Sequence, residues 1–222
     1  IGERAFANNN NLTTLTIGNV ESIGNRAFVN CSNLATANLS KGVGSIATHA
    51  FNGCGSLKAM QLPFVGESMD ATGASAVFGY IFGSTAYEGG TSITQNYAAS
   101  SSATYVIPTG LVDVTVLGGE LKYGAFYGCT MTTDVYLGVD VTMIGDYAFS
   151  KSGITEIDVP NNIVSIGNSA FANCNSLEII TLSENLPSIG NSAFEASAIT
   201  SIVIPESVET IGTTLFLNCA AL

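Results

Sequence analysis

Basic residues are scarce in this chain of 222 residues, where six Lys and Arg stand against seventeen Asp and Glu for a formal charge of −11. Such an acidic chain repels phosphate backbones, which excludes nucleic acid as a partner. The acidic residues also lack the tight spacing of a calcium-binding loop, so we expect no metal site. No apolar run approaches the roughly 18 residues of a membrane-spanning helix, so we predict no membrane insertion in this segment.

Histidine and tryptophan are also rare, with one His and no Trp. His49 is the only imidazole on which a Ser-His-Asp or Cys-His site could be built, and no serine lies in a nucleophile-elbow motif. Other copies of the repeat described below carry Arg, Tyr, Ser or Thr at this position, which predicts an exposed position that accepts many kinds of side chain. We therefore predict that the chain is not an enzyme and has neither catalytic residues nor a cofactor.

A hexapeptide with the pattern Ile-Gly-x-x-Ala-Phe recurs along the chain. Its phenylalanines lie 22 or 23 residues apart, with one gap of 75 between Phe51 and Phe126. A short strand pattern follows each unit, as in Leu34-x-x-Ala37-x-Leu39 and Ile199-x-x-Ile202-x-Ile204, where alternating apolar residues face a core. A unit this short cannot bury its apolar face alone, so the coils must stack into a solenoid with one long parallel sheet.

The gap fits the same template once an insertion is allowed. Phe78 serves as the missing phenylalanine, and Leu111-x-x-Val114-x-Val116 repeats the strand pattern. Thirty-three positions separate Phe78 from Leu111 where six separate Phe28 from Leu34, which predicts an excursion of roughly 27 residues. We predict a single domain over 1–222, with about nine coils of 22–23 residues and an insertion over 84–106. Because the chain begins and ends inside a repeat, we expect it to be a segment of a longer protein.

These units, with the pattern Ile-Gly-x-x-Ala-Phe-x-x-Cys-x-x-Leu-x-x-Ile-x-Leu/Ile-Pro, resemble the BspA-type, or treponemal-type, leucine-rich repeat family. The resemblance covers the chain outside the insertion and implies an α/β-type repeat protein, a leucine-rich-repeat solenoid. It also implies a secreted or surface-anchored protein of a host-associated bacterium, of a kind implicated in adhesion to host proteins or other cells. The family offers no catalytic residues to carry over.

The five cysteines occupy one position of the repeat, three residues after a phenylalanine. Other copies carry Asn9, Ile81, Ser152 or Ser197 there, which indicates a small and mostly buried side chain. An odd number of cysteines leaves at least one unpaired. We predict a packing role for all five, which are Cys31, Cys54, Cys129, Cys174 and Cys219.

Outward-facing strand residues form the first candidate binding surface. One predicted row holds residues 14, 36, 59, 134, 156, 179 and 201, and the other holds residues 16, 38, 61, 136, 158, 181 and 203. A solvated sheet selected only for β-propensity fits these Thr-rich rows equally well. The expected contact residues are Thr16, Asn38, Gln61, Tyr136, Glu156 and Asp158.

The Ser- and Tyr-rich insertion is the second candidate, with Tyr87, Tyr97 and Tyr105 as contact residues, because tyrosine supplies broad contact area at low entropic cost. A decoration that merely packs on the solenoid explains the segment as well. If the insertion binds, deleting Ser84 to Val106 should abolish binding and leave the solenoid folded.

The predicted function is a cell-surface or secreted recognition module that binds a protein or another cell-surface ligand, with the strand face and the insertion as its sites. The alternative is a passive spacer or display stalk for another domain.

Overall fold

Each repeat forms one coil of a solenoid in the computed structural model, which describes residues 1–222. The strands are β1 Thr14–Ile17, β2 Ser22–Ile23, β3 Thr36–Leu39, β4 Ser45–Ile46, β5 Ala59–Leu62, β6 Gly90–Ala98, β7 Ser101–Pro108, β8 Asp113–Leu121, β9 Asp134–Ile144, β10 Glu156–Asp158, β11 Ile179–Thr181, β12 Ser188–Ile189 and β13 Thr210–Ile211. A parallel sheet of seven strands joins β1, β3, β5, β8, β9, β10 and β11 in that order. The predicted solenoid and its long parallel sheet are confirmed.

Helical structure is limited to two 3₁₀ helices, Gly73–Ala76 and Phe78–Ile81, so the α component of the predicted class is minimal. Elsewhere the Ala-Phe segment closes each coil through turns. In most coils the residues two before and two after the phenylalanine have positive φ, as at Arg26 (55°) and Asn30 (57°) around Phe28. The left-handed region costs a residue with a Cβ about 1–2 kcal/mol, so these turns are held by stacking against neighbouring coils.

The repeat phenylalanines form the core opposite the sheet. Successive rings stack from Phe6 through Phe28 to Phe51, and again from Phe126 to Phe216, while Phe78 packs at a tilt on Phe126; the ring centroids lie 5.0–5.6 Å apart. Backbone bonds between coils run alongside, for example from the Phe126 N–H to the Ala148 carbonyl at 2.6 Å. Burying one such ring contributes roughly 1.5–3 kcal/mol, which explains why the Phe position keeps its period across the whole chain.

The two assignments inside the gap are confirmed. Phe78 packs on Phe126 with 5.0 Å between the ring centroids and 38° between the ring planes, and β8 lies between β5 and β9. The strand predicted from Ile199 to Ile204 was wrong, since these residues form no regular ladder. The segment keeps one backbone hydrogen bond to the preceding coil, from the Thr200 N–H to the carbonyl of Glu178, the residue before β11, at 3.4 Å. Strand β11 is its only neighbour in the sheet.

The insertion folds into an antiparallel hairpin of β6 and β7 that packs on the coil turns around Phe78 and Phe126. The hairpin begins inside the predicted segment and continues two residues beyond it, to Pro108. Gln95 is fully buried and anchors it: its Oε1 accepts the Gly79 N–H at 2.6 Å, and its Nε2 donates to the Ala125 carbonyl at 3.2 Å.

Candidate functional site

The strand face consists of the first and third residues of the seven paired strands. Because the strands are in register, these residues form two continuous rows across the sheet. One row contains Thr16, Asn38, Gln61, Tyr136 and Asp158, and Glu156 lies in the other. The structure thus brings the six strand-face residues that we predicted as contacts onto one surface.

Two residues of this face are missing from the predicted rows. Asp113 and Thr115 of β8 stand between Ala59 and Gln61 on one side and Asp134 and Tyr136 on the other. The strand pattern from Leu111 to Val116 was a sufficient signal, because its intervening positions must face outward as they do in every other coil.

The face divides into two chemically distinct halves. Strands β1, β3 and β5 form a neutral half in which outward residues are Thr, Asn, Gln and Ala, whereas β8 to β11 form an acidic half. The acidic half carries four carboxylates and no Lys or Arg, together with tyrosine, isoleucine and threonine side chains. Its outward residues are Asp113, Thr115, Asp134, Tyr136, Glu156, Asp158, Ile179 and Thr181.

Like charges stand on adjacent strands in the acidic half. Asp113 pairs in register with Asp134, and Asp134 with Glu156, so the three carboxylates extend from the same face of neighbouring strands, whose backbones lie roughly 4.8 Å apart. Partial burial, together with the neighbouring negative charge of Asp134, raises the pKa of the Asp113 carboxyl. This half therefore stores electrostatic repulsion that a bound cation or cationic side chain relieves.

Apolar surface lies among these carboxylates. Tyr136 is 56% exposed and Ile179 is 57% exposed. Together with Asp134, Glu156 and Asp158 they line a shallow groove of about 240 Å³ across β9, β10 and β11. The exposed aromatic and aliphatic side chains favour a protein contact, and the carboxylates around them favour a partner with positive charge.

The three tyrosines of the insertion point largely inward. Tyr105 is 7% exposed and its hydroxyl donates to the Ala74 carbonyl at 2.6 Å, while the Tyr87 hydroxyl donates to the Val106 carbonyl at 2.8 Å. Burial raises the pKa of Tyr105 to about 12. Tyr97 packs partly against the core. These rings hold the hairpin in place, and a role for the insertion in binding stays a prediction.

Packing of the hairpin also bears on the expected effect of deleting Ser84 to Val106. Ile93, Tyr105 and Gln95 of the hairpin are buried against the solenoid, so the deletion would uncover the core around Phe78. The expectation of an intact remaining solenoid therefore conflicts with the structure, since exposed core surface destabilises the neighbouring coils.

The cysteines pack as predicted. Four are buried and Cys219 is partly exposed, and none forms a disulfide. The Cys31 and Cys174 thiols donate to the carbonyls of Phe6 (3.2 Å) and Phe149 (3.0 Å) in the preceding coil. Burial raises the pKa of Cys174 to about 12, so the thiol stays protonated near neutral pH.

His49 is more constrained than its variable repeat position indicated. Its Nδ1 lies 3.0 Å from the Thr48 hydroxyl, and its Nε2 accepts the Ser84 N–H at 3.4 Å, at the start of the insertion. Partial burial, followed by the positive charge of Arg26, lowers its pKa. The prediction of an exposed position that accepts many kinds of side chain was wrong, because the His49 ring packs against the start of the insertion.

No group of three or more His, Cys, Asp or Glu side chains converges as a set of metal ligands. The chain also has no helix of the length and apolar character needed to cross a membrane.

A search of curated proteins found no match. Among solved structures, the chain is similar to a leucine-rich repeat protein of T. pallidum at 20% identity and a TM-score of 0.48, over 95% of this chain and 78% of that one. A leucine-rich cell surface protein of Faecalibacterium prausnitzii matches at 24% identity and a TM-score of 0.38, over 100% of this chain and 55% of that one. The pneumococcal vaccine antigen PcpA matches at 15% identity and a TM-score of 0.40, over 98% of this chain and 41% of that one.

The family comparison covers most of the chain. The model for the BspA type leucine-rich repeat region matches in six copies over residues 1–78 and 117–222, leaving out the hairpin and the segment that leads to it. The matched ranges contain all nine repeat phenylalanines and leave out the first four residues of β8, Asp113 to Val116. The chain belongs to the BspA-type leucine-rich repeat family.

Proposed function

We propose that this chain is a recognition module of a secreted or surface-anchored protein, and that it binds a protein partner through the acidic half of the strand face. The observation that carries the proposal is the groove in which Asp134, Glu156 and Asp158 surround the exposed Tyr136 and Ile179. Membership of the BspA-type family supports the surface location, as the resemblance implied.

The partner should present Lys or Arg side chains beside apolar ones. Four carboxylates without a basic neighbour attract a cationic surface and accelerate the encounter, while Tyr136 and Ile179 supply apolar contact area. Tyrosine is enriched where a few residues dominate the binding energy, so Tyr136 is the central contact.

Capture of the purified chain on an array of extracellular matrix proteins and intact host cells tests the proposal. The variant replaces Asp134, Tyr136, Glu156 and Asp158 with Thr, the residue that Thr14, Thr16 and Thr181 supply at the same positions of other coils. The matched control carries Asn38→Thr and Gln61→Thr in the neutral half.

We expect capture by at least one protein, a loss of about tenfold or more in affinity for the acidic-half variant, equivalent to about 1.4 kcal/mol, and little change for the control. Binding should also weaken as salt screens the carboxylates. Capture that survives in the acidic-half variant contradicts the proposed site. Absence of capture by any protein contradicts the proposed function and favours the passive spacer.

The outer surface of the insertion is the second part of the proposed binding surface. Ser92, Thr94, Ser102 and Thr104 are exposed on the hairpin, and the Thr94 and Thr104 hydroxyls lie 3.0 Å apart. Replacing these four residues with Lys changes the outer surface without removing Gln95 or Tyr105. Unchanged capture by that variant would remove the insertion from the binding surface.

A further inference from the structure

A second cleft lies on the coil turns, on a different part of the molecule from the strand face. Its volume is about 380 Å³, near the lower end of the roughly 300–1,000 Å³ typical of ligand pockets. Three tyrosines line it, and all three are partly exposed: Tyr123, Tyr127 and Tyr147. None of them was predicted as a contact residue.

The hairpin and the solenoid build the cleft together. Asn96 and Ala99, from the end of β6 and the turn after it, form one wall, and the turns around Phe126, Phe149, Phe171 and Phe194 form the rest. The insertion thus supplies one wall of this concave surface, and the coil turns supply the others. The three tyrosines lie on this concave surface.

The aromatic side chains depart from the repeat pattern. The position of Tyr123 holds Asp146, Asn168 and Asn191 in the following coils, and the position of Tyr147 holds Ser169 and Ser192. The repeat fold therefore does not require a ring at either position. Their partial exposure in the cleft indicates a surface role.

The rings are arranged as a platform with polar groups beside it. The Tyr123 and Tyr147 centroids lie 5.2 Å apart with 38° between the ring planes. Lys151 Nζ stands 5.4 Å from the Tyr127 centroid, which fixes a cation beside the second aromatic surface. Asn173 and Glu195 add amide and carboxylate groups to the lining.

We propose that this cleft binds a neutral saccharide. Aromatic faces pack against the C–H faces of sugar rings, while the Asn, Lys and Glu groups supply the donors and acceptors that sugar hydroxyls require. One Lys and one Glu balance in charge, in contrast to the uniformly acidic strand face, so the cleft selects against strongly charged ligands. The proposal is independent of protein binding at the strand face.

A glycan array tests the assignment, with neutral oligosaccharides that end in galactose, glucose, mannose or N-acetylhexosamine. The cleft variant carries Tyr123→Asn and Tyr147→Ser, replacements that the following coils already hold at the same positions. Serine also tolerates the backbone there, since Tyr147, Ser169 and Ser192 share φ values of 55°, 51° and 52°. The matched control, Val164→Ser, changes one exposed apolar side chain outside both the cleft and the strand face.

The wild-type chain should retain at least one neutral saccharide, and the cleft variant should lose about tenfold or more in affinity, equivalent to about 1.4 kcal/mol. The control should bind like wild type. Lys151→Asn, which matches Asn173 in the next coil, provides a second cleft variant should the first lose its circular-dichroism signal. No retained saccharide, or retention unchanged in both cleft variants, overturns the proposal. A protein ligand that depends on these tyrosines, with no saccharide bound, assigns the cleft to peptide recognition instead.

Discussion

The carbonyl oxygen of Asn96 in the hairpin lies where a side chain of residue 124 would stand. A Cβ built on Gly124 would be 1.7 Å from that oxygen, and Gly124 has a φ of 63°. Other coils carry Arg26, Tyr147 or Ser169 at this position. Docking of the hairpin therefore depends on glycine at residue 124.

We expect Gly124→Ala to displace the hairpin and to destabilise the chain by about 2 kcal/mol or more, because the methyl group meets rigid backbone. Gly128→Ala is the control, with a similar φ of 69° and its nearest contact, the Thr94 carbonyl oxygen, at 3.4 Å. It should cost only the left-handed penalty of about 1 kcal/mol. Urea unfolding measures both, and equal losses would show that backbone strain alone explains Gly124.

Ala196 occupies the left-handed position two residues after a phenylalanine, with a φ of 53°. Neighbouring coils hold Asn173 and Asn218 there, at φ values of 59° and 62°. Since asparagine tolerates this region better than alanine, Ala196→Asn should stabilise the chain by up to about 1 kcal/mol. Thermal unfolding checks the gain, with Ala198→Asn, outside the left-handed region, as the control that should not gain.

The buried thiols should make the fold sensitive to alkali. Burial raises the pKa of Cys174 to about 12, whereas an unfolded thiol ionises near roughly 8.5. The unfolded state therefore loses protons first, so stability is full below about pH 8.5 and falls as pH rises towards 12. Cys174→Ser, matching Ser152 and Ser197 in adjacent coils, should flatten this decline in urea titrations between neutral and alkaline pH. An unchanged slope would exclude a contribution from this thiol.

Asp113 should destabilise the sheet at neutral pH. Burial and the Asp134 charge raise the pKa of Asp113 in the folded state, so the folded chain binds this proton more tightly than the unfolded chain does. The resulting stabilisation is fully present below the unfolded pKa and is lost as pH rises through the folded pKa. Asp113→Asn should therefore raise the melting temperature at pH 7 and show a shrinking advantage on acidification. Thr115→Ser, on the same strand face, controls for general surface effects. A constant advantage at all pH values would contradict the electrostatic explanation.

Much of the fold could be predicted because the repeat is redundant. Phe78 and the pattern from Leu111 to Val116 were identifiable by comparison with the other coils, although an insertion separates them. The strand from Ile199 to Ile204 was not, because its pattern matches the others and pairing depends on neighbours that a single repeat does not encode.

The candidate sites were predictable only in part. The rows containing Tyr136 and Glu156 follow from strand alternation alone. The orientation of Tyr105 follows from its pairing opposite Ile93 in the hairpin, which the sequence does not specify. The tyrosine cleft could not be predicted, because it forms only where Asn96 of the hairpin packs beside a coil nearly 30 residues further along the chain. The hairpin does not follow the repeat, so the repeat pattern does not encode this contact.

The break between the two phenylalanine columns has a consequence for how the chain unfolds. No ring contact joins Phe51 to Phe78. The coils are coupled there by the ladder between β5 and β8 and by hydrogen bonds: the Phe51 N–H donates to the Ile81 carbonyl at 3.0 Å, and Asn52 Nδ2 donates to the Phe82 and Thr85 carbonyls, both at 2.9 Å. In a solenoid each coil is coupled only to its neighbours, so cooperativity is transmitted one interface at a time. Opening at this interface therefore breaks hydrogen bonds and strand pairing but no stacked ring pair, so we expect weaker hydrogen-exchange protection for the Phe51 N–H than for the Phe28 N–H, which bonds across a stacked interface.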